Sequence, residues 1–149
     1  MSQNNPSVYA QAIQYQLLSI MNPGYDPLDP VITIPVYANF NRNYATQPKF
    51  LTWQLRSVHQ PVYTGQTQNN KGIDRPTFQA SIFAKDMDDA FNMSNTVLQS
   101  LHGYSGTFGN PDNGGFFIAK ADVYWQYNSY DNDLGLNQIF LDCTLDIPT

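Results

Sequence analysis

Between Asp74 and Gly103 the hydrophobic period of the chain changes from two residues to three and four, with no turn in between. Phe78, Ala80, Ile82 and Ala84 alternate with Thr77, Gln79 and Ser81. That is the signature of a half-buried strand. Met87, Ala90, Phe91, Val97, Leu98 and Leu101 then form one apolar stripe, interrupted at Ser94. Their spacing predicts a helix of about four turns. Asp86 is the expected N-cap, because its carboxylate can accept from the free N–H groups of the first turn. Asp88 and Asp89 lie where the helix dipole favours negative charge. Gly103 sits where a helix ends in a left-handed residue. A strand that runs straight into an amphipathic helix lays the helix against one face of a sheet, since both apolar sides need cover.

The chain has 149 residues, enough for one domain over residues 1–149 with its own core. Charged residues make up only 13%, so the surface depends on neutral polar groups such as Asn and Gln. The acidic residues are all Asp, and the formal net charge is −5. Scattered basic residues on an acidic chain argue against gripping nucleic acid, which needs clustered Lys and Arg. The single cysteine, Cys143, rules out an internal disulfide and a cysteine-based metal cluster within the chain. No apolar run approaches the length of a membrane span. The opening MSQNNPS lacks the basic and apolar parts of a signal peptide, so the expected place of synthesis and assembly is the cytoplasm.

Ser7–Met21 reads as a first helix, with Tyr9, Ile13, Leu17 and Ile20 on one face and Gln11, Gln14 and Gln16 on the others. Asn22-Pro23-Gly24 ends it. Val31–Tyr37 reads as a strand that Pro35 confines to an edge or a bulge. Phe50–Val58 is a second strand, extendable through Val62 and Tyr63, and Thr64–Gly72 is a polar turn or loop. Tyr104–Gly115, rich in glycine, is a loop with few anchors. Phe117, Ala119, Ala121, Val123, Trp125 and Tyr127 alternate with polar residues, as do Ile139, Leu141, Cys143, Leu145 and Ile147. With Asn128–Leu136 between them these predict an antiparallel hairpin. The expected fold is α+β, a single antiparallel β-sheet of four to five strands with two helices packed on one face, in the order α-β-β-β-α-β-β. Thr64–Gly72 and Tyr104–Gly115 are its expected least ordered internal segments.

The residues that could carry chemistry read more simply as structure. His59 lies near a strand end, and His102 lies in the last helical turn, where an imidazole can complement the dipole. Gly103, Gly106 and Gly109 follow a helix, whereas the dinucleotide fingerprint lies between a strand and a helix. Asp131-Asn132-Asp133-Leu134-Gly135 has its glycine one residue early for a calcium loop and no closing Glu, so it reads as a turn. Asp86, Asp88 and Asp89 read as a solvated helix start. Cys143 reads as a small core residue, and most of the aromatic residues lie on the apolar phase of strands, as core. No cofactor, metal or catalytic group is expected, and an enzyme is the least favoured class.

The unit RPTFQASIFAKDMDDAFNMSNTVLQSLHG, followed by the hairpin FFIAKADVYWQYNSYDNDLGLNQIFLDCTLDIP, resembles the tail terminator proteins of long-tailed bacteriophages, also called tail completion or tail-to-head joining proteins. The family's Arg-strand-helix-Leu-x-Gly segment corresponds to Arg75–Gly103. Its aromatic strand corresponds to Val123–Tyr127, and its closing strand of alternating Asp and hydrophobics to Leu141–Ile147. The first helix fits too; Pro23–Gln47 departs from the usual short path. The resemblance implies a structural virion protein at the tail-neck junction. It would form a homo-oligomeric ring, most often a hexamer, that binds the tail tube protein, stops tube polymerisation and meets the head-tail connector protein. DNA would pass through without specific binding. No catalytic residues carry over. The candidate partner-docking residues are those of the two polar loops: Gln66, Asn69 and Lys71, and Tyr104, Phe108, Asn110 and Asp112. The alternatives are a neck or head-completion protein and, from another class, a carbohydrate-binding module that uses exposed aromatics.

Overall fold

The computed structural model describes residues 6–59 and 73–148. The chain is of the α+β class. A five-stranded sheet runs in the order β1-β2-β3-β7-β6, and a two-stranded ladder, β4-β5, stands beside it. Helix α1 is Pro6–Met21 and α2 is Met87–Leu101. The strands are β1 Val36–Ala38, β2 Lys49–His59, β3 Ile73–Ala84, β4 Gly106–Phe108, β5 Phe116–Ile118, β6 Lys120–Asp131 and β7 Leu136–Pro148. The expected order of elements is found, with β4 and β5 added between α2 and β6. Four strands are antiparallel neighbours, and β1 joins β2 in parallel, so the sheet is mixed.

The strand-to-helix switch forms as its periodicity predicts. Asp86 caps α2, its Oδ1 accepting from Asp88 N–H at 3.0 Å. The buried side of β3 carries Phe78, Ala80, Ile82 and Ala84. Register places Leu51 and Trp53 of β2 and Ile139, Leu141 and Cys143 of β7 beside them. Both helices lie over this face and share one core with it, with Ile13 and Leu17 from α1 and Ala90, Val97 and Leu101 from α2. Burial pushes the Cys143 thiol pKa up, and the nearby Asp142 carboxylate adds to it. At the upper end of the sheet Tyr9 donates from its hydroxyl to the buried carboxylate of Asp74.

The stripe on α2 is narrower than its letters suggest. Met87 and Phe91 are exposed and Leu98 is half-buried, while Met93 and Ser94 are buried. Ser94 fits inside because its hydroxyl donates to Phe91 C=O at 2.8 Å, which satisfies it locally.

The path from Pro23 to Pro48 departs most from expectation. Of Val31–Tyr37, only the end enters β1, because Asn22 captures the backbone of the preceding residues. Its Oδ1 accepts from Thr33 N–H at 2.7 Å and Ile34 N–H at 2.8 Å, and its Nδ2 donates to Ile34 C=O at 2.9 Å. After β1, Asn39 takes a left-handed backbone (φ 66°) and the chain crosses the side of the sheet away from the helices. There Phe40, Asn41 and Tyr44 lie over Phe50, Thr52 and Phe83 and reach Leu134 of the β6–β7 turn. Asn41 is buried on that side, its Nδ2 donating to Gln47 Oε1 at 2.7 Å.

Candidate functional site

Tyr104–Gly115 is anchored rather than loose. Gly106–Phe108 pairs with Phe116–Ile118, Phe108 is fully buried, and Gly109 N–H donates to Gln16 Oε1 of α1 at 3.0 Å. A Cβ on Gly109, at φ +92°, would lie 2.8 Å from Ala12 Cβ. The loop is therefore pinned to α1 through the buried Phe108 and Gly109. Of its expected docking residues, Phe108 is withdrawn from any partner. Tyr104 and Asn110 are half-buried, and Tyr104 donates from its hydroxyl to Thr107 C=O at 2.6 Å. Asp112 is exposed, near Asp26 and Asn113 on the rim of a groove outside α1. Gln66, Asn69 and Lys71 lie outside the described residues, as do Val62 and Tyr63.

The large exposed surface is elsewhere, on β6. A regular alternation from Phe117 to Tyr127 would bury one side of the strand throughout. Instead Phe116 and Ile118 are buried with Phe117 exposed, the chain breaks phase at Ala119, and β6 buries only Ala121 and Val123. Beyond them every residue from Tyr124 to Tyr130 is exposed. Tyr124 is 56% exposed, Trp125 42%, Tyr127 53% and Tyr130 55%. An extra residue, Gln126, bulges the strand between Trp125 and Tyr127. Trp125 and Tyr130 share the phase of Leu141 and so face the helix side. Tyr124 and Tyr127 face the other side, where Tyr127 leans on Phe140 with ring centroids 4.7 Å apart.

The upper half of this outer edge is covered. Gly103 N–H donates to Ala121 C=O at 2.7 Å and Ala121 N–H to Tyr104 C=O at 3.0 Å. Val123 N–H donates to His102 Nδ1 at 2.9 Å, so His102, the residue that caps α2, also caps the edge of β6. These contacts show which residues turn their backbone groups outward. Past the bulge the same phase falls on Asn128 and Tyr130. Their outward N–H and C=O groups meet no partner among the described residues, so Trp125–Tyr130 is an open ladder flanked by four exposed aromatic rings.

The opposite margin is treated differently. Val36 C=O of β1 accepts from Gln14 Nε2 at 2.8 Å, and Trp53 Nε1 donates to Gln14 Oε1 at 2.6 Å. Gln14, expected on the polar side of α1, is thus a half-buried link from helix to sheet. Outside it lies a shallow groove of about 570 Å³ walled by Tyr15, Leu18, Tyr25 and Val36. No grouping of His, Cys and Asp suited to hold a metal occurs among the described residues, and no described helix is long and apolar enough to cross a membrane.

The fold and this edge define a class: an α+β sheet covered by helices on one face, with an open, aromatic margin suited to association. No protein-family model matches the chain, and no curated protein matches it. Among solved structures, it is similar to a chain of the virion of a native gene transfer agent (GTA) particle, at 11% identity and a TM-score of 0.46. That alignment covers 95% of this chain and 92% of the other.

Proposed function

We propose that this chain is a structural virion protein of a long-tailed phage-like particle. Copies of it form a ring that caps the tail tube, stops its polymerisation and offers the surface for head-tail joining. The observation that carries the reading is the β6 margin, where an open ladder and four large aromatic rings lie outside the core of the monomer. A soluble monomer rarely leaves such a patch uncovered, and an open strand edge is a template for a further chain. The specific role comes from the sequence resemblance over Arg75–Gly103, Val123–Tyr127 and Leu141–Ile147. The chain's acidity supports it as well, since an acidic passage lets DNA slide rather than grip it.

The test is assembly of tail tube protein with and without this chain, followed by electron microscopy. Tubes of uniform length with a ring at one end, competent to join heads, are the expected result. Tubes of unrestricted length with the protein free in solution refute the reading. The exposed rings also suit a carbohydrate-binding module. They stand two on each side of one strand, however, so neither side presents all four. A monomeric mass together with glycan binding would establish that alternative.

A further inference from the structure

Charge in this molecule is sorted by sheet margin. From Val31 to His59, the stretch that holds β1 and β2, the chain carries Arg42, Lys49 and Arg56 and no carboxylate. From Ala121 to Thr149, which holds the rest of β6 and all of β7, it carries five aspartates and no lysine or arginine. These stretches form the two opposite margins of the sheet. Asp122 and Asp146 are engaged by Lys120 and Arg75. Asp131, Asp133 and Asp142 have no cationic partner among the described residues, and Arg42, Lys49 and Arg56 have no anionic one.

The basic margin has an open ladder of its own. Leu51 N–H donates to Pro35 C=O at 3.0 Å and Asn39 N–H to Trp53 C=O at 2.8 Å, so alternate residues of β2 turn toward β1. But β1 ends at Ala38, opposite Trp53. Beyond it, on either side of a bulge at Arg56, the outward groups of Leu55 and Val58 meet no partner among the described residues. Among the described residues each margin thus holds one uncovered stretch: Trp125–Tyr130 with the acidic residues, Leu55–Val58 with the basic ones.

We propose that the open stretch of β6 in one copy pairs with the open stretch of β2 in the next, acidic margin against basic margin. The inference rests on the assembly reading above and names its subunit contact. Three features favour a second copy as the occupant. The charges are complementary, and both stretches have unpaired backbone groups. The directions also match: β2 and β6 run oppositely within one sheet, because three antiparallel junctions separate them. Copies related by rotation about an axis along the strands keep those directions, so the new junction is antiparallel too. The bulge places exposed Arg56 within the paired stretch, toward the end of β6 where Asp131 and Asp133 lie. Tyr130 and Leu55 both fall on the helix side, so in this register the Tyr130 ring covers the partner's half-buried leucine. A contact between different surfaces of identical copies repeats head to tail, and it closes when the rotation per step divides a full turn.

The test uses native mass spectrometry and sedimentation of the full chain. Wild type is expected as one cyclic species. Asn128→Pro removes an outward N–H that the strand's own sheet does not use, so circular dichroism and melting should be retained while the oligomer is lost to monomer. Asp131→Lys with Asp133→Lys, and separately Arg42→Asp with Arg56→Asp, should each leave only monomer. Mixed in equal amounts, the two charge-reversed proteins should recover rings in which they alternate. Rings of wild-type mass from Asn128→Pro, or a mixture that stays monomeric, overturn the contact. So does a wild type that is monomeric both alone and on tail tubes. Rings that behave as described but do not cap tubes overturn the terminator reading and leave the contact standing. Capping by wild type together with wild-type rings from Asn128→Pro overturns the contact alone.

Discussion

Replacing Asn22 by Ala should release the crossing segment that leads to β1. The Asn22 side chain holds four backbone groups: Nδ2 donates to Leu18 C=O at 3.1 Å and Ile34 C=O at 2.9 Å, and Oδ1 accepts from Thr33 N–H at 2.7 Å and Ile34 N–H at 2.8 Å. Leu18 C=O keeps the Asn22 backbone N–H at 2.9 Å after the change, so it is not orphaned. The other three groups lose these partners. A neutral hydrogen bond contributes a net ~0.5–1.5 kcal/mol, and a buried group left without one costs ~1–3 kcal/mol. Thr33 is exposed, so water replaces its bond cheaply; Ile34 is half-buried and its two groups suffer more. The sum comes to about 2–3 kcal/mol. Urea denaturation should show that loss in the midpoint with little change in slope. Limited proteolysis should show cleavage near Thr33 before any global unfolding. Asn22→Asp keeps the two acceptor contacts and should fall between wild type and Ala. A loss for Asn22→Ala below about 0.5 kcal/mol, the range of an ordinary surface change, would refute the reasoning.

Ile82→Ala, at a fully buried position of β3, should cost ~2–5 kcal/mol in equilibrium denaturation, and the half-buried Leu98→Ala clearly less. Gly109→Ala forces both a left-handed backbone and a 2.8 Å approach to Ala12, and should lower the melting temperature by several degrees, as ~1–3 kcal/mol of strain does. Cys143 should stay unlabelled by a thiol reagent in the native protein and react fully in denaturant. Because burial holds its proton in the folded state, the unfolded chain alone releases it above the ordinary thiol value of 9.0. The folded state therefore loses stability as pH rises past that point. Denaturation at pH 8 and pH 10 should show wild type losing more of its stability than Cys143→Ala.

Periodicity made the inner sheet and both helices legible, because those residues are buried by neighbours close in sequence or phase. Phe78–Ala84 and Leu141–Ile147 keep one phase and one face throughout. Asp86 could be assigned because a cap acts on its own first turn. Several misreadings involve a polar side chain reaching across the fold. Asn22 looked like a helix end and proved to be the clamp that shortens β1. Gln14 and Gln16 looked like a solvent face, yet they hold β1 and the turn at Gly109. The letters of Trp125 and Tyr127 belong to a buried strand; the Gln126 bulge turns them to opposite faces and both are exposed, which the strand's own periodicity does not record. The one local signal available was the charge pattern, aspartate alone after Lys120 and none from Val31 to His59.

Both open stretches contain a bulge, Arg56 on β2 and Gln126 on β6. A bulged strand bends and twists more sharply than a regular one. Stacking of flat sheets into fibrils needs a straight rail along which any β-prone peptide can lie in register. A bent rail mates only with another that carries the matching bend. The two inserted residues therefore make these edges poor templates for flat stacking.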